Sequence, residues 1–362
     1  MILPQDMLIE LRNYYIAAGT GLVQDMMMME NPPLSFCILL LCLASANMHL
    51  QKMRKAWLLA CPARTYLQQH MSKYIDPSSP PHSPSSPEIE TYKFALHFCY
   101  KLEYRLGSIL NASPTPEILN LDPVFTLPTK LDGDNEVEFL AFREQLSWDR
   151  VVAAKNKWLA SHESINGSVK SVDWKAVNKV TNEFYHWYLR LPVPLQIGEK
   201  PFDIDFMDIP KDKSVCVCLL QMAYYGEWMI VYSNFLSLKN ISEDEEMLVQ
   251  SKKFAFLASR AIIKLAHHVS LTAFCRIEFF WILFACEPLL YLLNANDKYV
   301  VEESRNSLKI AKDLLRVLLA SNTPETSIHA AELGHYYNAT YQIAENIAKE
   351  VSAMFSSYGL QF

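Results

Sequence analysis

Glycine is scarce in this chain, 9 of 362 residues, about a third of the roughly 7% usual in soluble proteins. That scarcity disfavours folds built on glycine-rich phosphate loops or many tight hairpins, and helices tolerate it best. Strand-like alternation is nearly absent. No Cys-x-x-Cys occurs among the eight cysteines, and the nearest pair, Cys216 and Cys218, has no partners at zinc-site spacing. No metal or cofactor is therefore expected in this chain. With no signal peptide evident, reduced thiols buried in apolar runs are expected. The sequons at Asn111, Asn166, Asn240 and Asn338 are for the same reason not read as glycosylation sites. A net positive charge is also missing: the formal net charge is −6. The densest basic group, Lys52 with Arg54 and Lys55, is too small to neutralise a nucleic-acid backbone.

Three apolar stretches fall short as membrane spans. Leu34 to Met48 is shorter than the ~20 residues a bilayer requires. Val215 to Leu238 contains Glu227, Gln221 and Asn234, and Ile277 to Leu293 contains Glu278, Glu287 and Pro288; an ionised carboxylate in hydrocarbon costs several kcal/mol. All three are expected to be core helices.

Catalytic groups are not found in a workable pattern, so no enzyme activity is expected. Gly19-Thr-Gly21 starts like a dinucleotide loop, but Gln24 stands where the third glycine belongs, and the stretch is read as an ordinary loop. No Gly-x-Ser-x-Gly elbow occurs. His267-His268 has no aspartate within reach. Terpene-cyclase-like chemistry needs carboxylates one helical turn apart to hold magnesium; Asp132-Gly-Asp134-Asn-Glu136 has a glycine inside it, and Asn296-Asp297 lacks the following ligands.

What is present is helical spacing. Trp174, Val177, Val180, Phe184, Trp187 and Leu191 advance in threes and fours, with Asp173 to cap the helix and Pro192 to end it. Phe254, Leu257, Ala261, Leu265 and Val269 form one stripe opposite Lys253, Arg260, Lys264 and His267, which reads as an amphipathic surface helix. Further helices are expected over 307–321 and 330–354, with loops at 111–136, 161–172 and 192–214. Between Asp76 and Glu88, five prolines and five serines fill thirteen residues, a composition that reads as an exposed loop (76–88) inside one domain. Ser79, Ser83 and Ser86 each precede a proline and are candidates for proline-directed phosphorylation. The expectation is an all-α fold of roughly a dozen helices, one large irregular domain over 1–362.

The order of motifs resembles the middle homology region of fungal zinc-cluster transcription factors. The residues that carry it are Trp57 in Arg54-Lys-Ala-Trp-Leu-Leu-Ala60, Glu90, the aromatic run Phe94 to Tyr100, Glu103 with Arg105, and Leu127-Pro128. Trp187-Tyr-Leu-Arg-Leu-Pro192 and Leu219-Leu-Gln-Met-Ala-Tyr-Tyr225 are similar to later family segments. The pattern departs where Asn111-Ala-Ser-Pro replaces a Gly-Arg-Pro turn and Tyr92-Lys93 stands for a run of arginines. No six-cysteine zinc cluster lies in this chain, so zinc would enter only through a cluster upstream, and DNA binding is carried over to no residue here.

The resemblance implies a nuclear regulatory region acting through contacts with other transcription-regulatory proteins, with a homodimer and a small-molecule effector as further partner classes and no membrane. Two alternatives stand beside it: a stand-alone helical co-regulator without DNA binding, and a helical enzyme of unknown type. It also implies that Glu103 lies in the domain's middle. Arg105, two positions on, cannot share its helix face, so Glu103 should find its partner on another helix. Trp57 is expected to be a core residue.

Overall fold

The computed structural model describes residues 5–49, 52–75, 86–110, 127–162, 174–205, 209–233, 236, 245–272, 279–320, 353 and 356. Among them are ten α-helices, two single 3₁₀ turns and no strand, so the fold is all-α. The chain falls into two compact units, a finer division than one large domain; the first runs to Asp134 and the second begins at Asn135.

The first unit holds α1 (Gln5–Met26), α2 (Leu34–His49), α3 (Met53–Tyr74) and α4 (Pro87–Leu110). Helix α2 touches all three others, and Phe36, Cys37, Leu40, Leu41, Leu43 and Ala44 are buried, which explains why it is apolar nearly all round. Asn47, a polar residue buried in it, donates from Nδ2 to the Leu43 carbonyl at 2.7 Å. Ala56, Ala60 and Ala63 on α3 are fully buried and give α2 a close approach.

Two expectations change here. Gly19 and Gly21 lie within α1, not in a loop. A Cβ on Gly19 would stand 3.2 Å from the Leu43 side chain, so the small residue serves helix packing. Pro87 and Glu88, expected in the Pro/Ser loop, begin α4 instead. Proline is pre-organised for a first helical position, and Ser86 caps the helix by accepting the Ile89 N–H on Oγ at 3.3 Å. The rest of that loop, 76–85, lies outside the described residues.

The second unit holds α5 (Glu136–His162), α6 (Trp174–Leu189), α7 (Val215–Ser233), α8 (Glu245–Thr272), α9 (Phe279–Leu292) and α10 (Lys298–Ala320). Asn135 caps α5 by accepting the Val137 and Glu138 N–H groups at 3.0 and 3.1 Å. Helix α6 ends at Leu189, before Pro192, while Asp173, its expected cap, lies outside the described residues. Helix α10 begins at Lys298, well ahead of 307, because Asp297 Oδ1 accepts the Tyr299 N–H at 2.9 Å. The helix expected over 330–354 falls almost wholly outside the described residues.

Helix α7 alone among the described residues is long and apolar enough to cross a bilayer. It packs on α5, α6, α8 and α9, and this packing accounts for its apolar surface. The contact with α9 is close: a Cβ on Gly226 would stand 2.0 Å from the Trp281 ring. Helix α8 is not the surface helix expected. It is packed by α7, α9 and α10, so Ala255, Phe256, Ala258, Ile262, Ile263 and Ala266 are buried as well as Ala261, Leu265 and Val269 of the stripe, and so is Arg260, while Phe254 and Leu257 are half-buried. That guanidinium pairs with Glu303 on α10 and lies 5.0 Å from the Phe256 ring centre.

Candidate functional site

Trp57, Glu90, Glu103 and Leu127-Pro128, on which the resemblance rests, lie in the first unit, whereas the later segments Trp187–Pro192 and Leu219–Tyr225 lie in the second. Glu90 is almost wholly buried. Its Oε1 accepts from Lys93 Nζ at 2.9 Å, and its Oε2 accepts the backbone N–H of Thr129. Thr129 directly follows Leu127-Pro128, and Pro128 is buried. A helix-borne carboxylate thus ties the segment that follows Leu127-Pro128 to the first turn of α4, where the helix dipole also favours negative charge.

One turn pattern further along α4, Tyr92, Ala95, Leu96, Cys99, Leu102, Glu103 and Leu106 share the buried face. Glu103 is 1% exposed, and Arg64 of α3 brings a guanidinium nitrogen to 3.1 Å from its Oε1. The contact lacks hydrogen-bond alignment, so its attraction is Coulombic. Burial raises the Glu103 carboxyl above its ordinary value, and Arg64 opposes that rise. Burial and then the Glu103 charge push the neighbouring Cys99 thiol well up, which makes it a poor nucleophile.

Trp57 does not lie in the core. It is half-buried, at the point where α3 turns its exposed face, beside an exposed Leu58. The expected core position passes to the alanine stripe on the same helix. The side chain of Arg105 lies outside the described residues, as do Ser79 and Ser83. Ser86 is exposed and sits beside a polar clasp in which Tyr74 Oη donates to Glu88 Oε1 at 2.7 Å and Lys73 Nζ donates to Tyr74 Oη at 2.8 Å. The clasp joins the end of α3 to the start of α4.

In the second unit the aromatic residues pack on one another. Trp148 lies 4.6, 4.8 and 5.1 Å from the rings of Trp187, Phe184 and Tyr224, and its indole N–H reaches the Ala223 carbonyl at 3.3 Å. Phe202, Trp228, Tyr232 and Phe254 continue the cluster. Phe202 holds a left-handed backbone (φ 75°), uncommon for a bulky residue. Its ring is fixed against Tyr225, Trp228 and Phe254.

Two of the carboxylates weighed for enzyme chemistry make local backbone contacts. Asp134 Oδ2 accepts the Leu131 N–H at 2.9 Å, in a turn that Gly133 makes at φ 93°, and Asp297 caps α10. His267 is exposed on α8 and His268 half-buried. No group of three His, Cys, Asp or Glu converges among the described residues. The cysteines among the described residues are free thiols, but Cys42 and Cys216 are exposed where burial was expected, because each falls on the outer side of an otherwise apolar helix.

Sequence reasoning missed one concave feature. An open groove of about 670 Å³ runs between α5 and α6, lined by Arg150, Val151, Glu183, His186, Leu189 and Arg190. Its only sequence signal is the spacing of Glu183, His186 and Arg190 along one helix face. Comparison with protein-family models, with curated proteins and with solved structures finds no match.

Proposed function

We propose that the chain is a regulatory region of a fungal transcription regulator, working in the nucleus through contacts with other regulatory proteins rather than through catalysis. The observation that carries this reading is the convergence of its family-like residues. Glu90 ties the segment after Leu127-Pro128 to α4, and Glu103 joins α4 to α3 through Arg64. Two of the residues that carry the resemblance, Glu90 and Glu103, thus supply the acidic partners of this unit's buried ionic contacts. A region of this kind restrains or exposes the functions of the domains it is joined to, with or without an effector. It contributes no zinc ligand and no DNA contact of its own.

The test is a fusion of the chain to a sequence-specific DNA-binding domain and an activation segment, expressed in a fungal nucleus with a reporter gene. The expected result is a several-fold change in reporter output relative to the same fusion without the chain, lost in an Arg64→Met variant. Equal output with and without the chain, at equal protein level, would overturn the reading.

A further inference from the structure

The groove between α5 and α6 combines two kinds of surface. Val151 and Leu189 supply an apolar strip, half-buried at the first and 42% exposed at the second. Around it stand Arg150, His186 and Arg190, against one lining carboxylate, Glu183. With His186 neutral those side chains sum to +1 (two arginines less one glutamate), and with it charged to +2, in a chain whose formal net charge is −6. Just beyond the lining, Arg143 and Glu144 form a 3.9 Å pair. Burial raises the Glu144 carboxyl, while Arg143 and then Arg190 oppose the rise, so that end of the groove holds a second carboxylate near Arg190 together with a third arginine, Arg143, and the local sum stays positive by one with His186 neutral. Arg190 Nε also donates to the His186 carbonyl at 3.2 Å, which holds the side chain along the end of α6.

We infer that this groove binds a short acidic segment of a partner protein, its carboxylates on Arg150 and Arg190 and an apolar side chain on Val151 and Leu189. Arginine is suited to that role because its planar fork meets a carboxylate with two parallel hydrogen bonds. Nucleic acid is disfavoured: two fixed cations beside a glutamate neutralise few phosphates, and phosphate neutralisation dominates such binding. A small molecule is disfavoured because the groove is open to solvent, whereas small-ligand sites enclose most of the ligand surface. An amphipathic peptide laid into a groove needs no such enclosure.

The inference rests on the protein-contact reading above and names the partner chemistry. The probe is a fluorescein-labelled peptide of about 16 residues combining Asp, Glu, Leu and Phe, titrated with the full chain and followed by anisotropy. Its uncharged counterpart carries Asn and Gln in place of the acids. The acidic peptide is expected to bind saturably and more weakly as salt rises. Affinity should fall about tenfold in Arg190→Glu and less in Arg190→Gln, and stay unchanged in Lys211→Glu, an exposed site outside the groove lining. Circular dichroism establishes that each variant is folded.

Absence of saturable binding, equal affinity for the uncharged peptide, or equal effects of Arg190→Glu and Lys211→Glu would each overturn the inference. If reporter output responds to the chain but the peptide does not bind, the groove assignment fails alone. If the peptide binds with the groove's signature and output does not respond, the regulatory reading fails alone.

Discussion

Arg64 and Glu103 form an unequal pair: the arginine side chain keeps 27% of its surface exposed while the glutamate side chain keeps 2%, with 3.1 Å between nitrogen and oxygen. Removing one partner therefore has a different consequence from removing the other. Without Glu103, Arg64 can still reach water. Without Arg64, a carboxylate is left alone in the interior, and an uncompensated buried charge is the costlier state.

Arg64→Met is accordingly expected to destabilise the fold by about 3–5 kcal/mol at neutral pH, and Glu103→Gln by only about 1–2 kcal/mol. Urea unfolding of both variants decides it. Equal losses, or a smaller loss for Arg64→Met, would show that the pair does not divide its burial as described.

The same carboxyl predicts a pH dependence. Its folded-state pKa is raised above the ordinary glutamate value of 4.5, by burial first and against the pull of Arg64. The folded state therefore holds the proton to higher pH than the unfolded state, so this group's contribution to stability falls as pH rises from about 4.5 through the raised value. The parent minus Glu103→Gln difference in unfolding free energy should slope downward in that window and level off above it. A flat or rising difference would contradict the assignment.

Gly226 lets α7 approach α9 closely. Gly226→Ala places a Cβ 2.0 Å from the Trp281 ring, so a destabilisation of about 1–3 kcal/mol is expected from overpacking. Trp281→Leu should relieve it, and the double variant should be more stable than the sum of the two single effects predicts. Additive effects in thermal unfolding would place the strain elsewhere.

Two tryptophans should behave differently. Trp148 is buried at the centre of the aromatic cluster, so Trp148→Ala should cost about 3–5 kcal/mol through the cavity it leaves. Trp57 is half-buried, and Trp57→Ala should cost less than about 2 kcal/mol, because solvent already occupies one side of the ring. Denaturant midpoints of the two variants test the order.

Chelation should leave helical circular dichroism intact, since no cluster of candidate ligands converges among the described residues and a structural zinc site couples folding to metal. Loss of signal on chelation, restored by zinc, would contradict this.

Much of the first unit's chemistry was legible as type but not as partnership. Glu103 stands out because Leu102 and Leu106 flank it at helical spacing, and Arg105 cannot share its face. That the partner is Arg64 follows only once α3 lies against α4. Glu90 reads as an acidic residue in a helix's first turn, and its bond to Thr129, 39 positions on, depends on tertiary placement. The misreading of α8 has the same origin. Lys253, Arg260, Lys264 and His267 form a polar face by periodicity, and a polar face is usually a wet one. Arg260 is buried because α10 supplies Glu303 opposite it, and Lys264 is held by the Ile204 carbonyl at 3.2 Å.

The amino-acid sequence by itself determined the all-α class and the central placement of α2, α7 and α9. A helix satisfies its backbone hydrogen bonds locally, and a helix apolar on every side has nowhere stable to lie except inside. The starts of α4 and α10 are also set locally, by Ser86 with Pro87 and by Asp297 acting on their own first turns, although composition and spacing point to a loop at 87–88 and a start at 307. Only the tertiary structure decided which charges are buried, which tryptophan is core, and that α5 and α6 lie together to form a cationic groove. Those outcomes depend on side chains from helices distant in the chain, and periodicity reports the faces of one helix at a time.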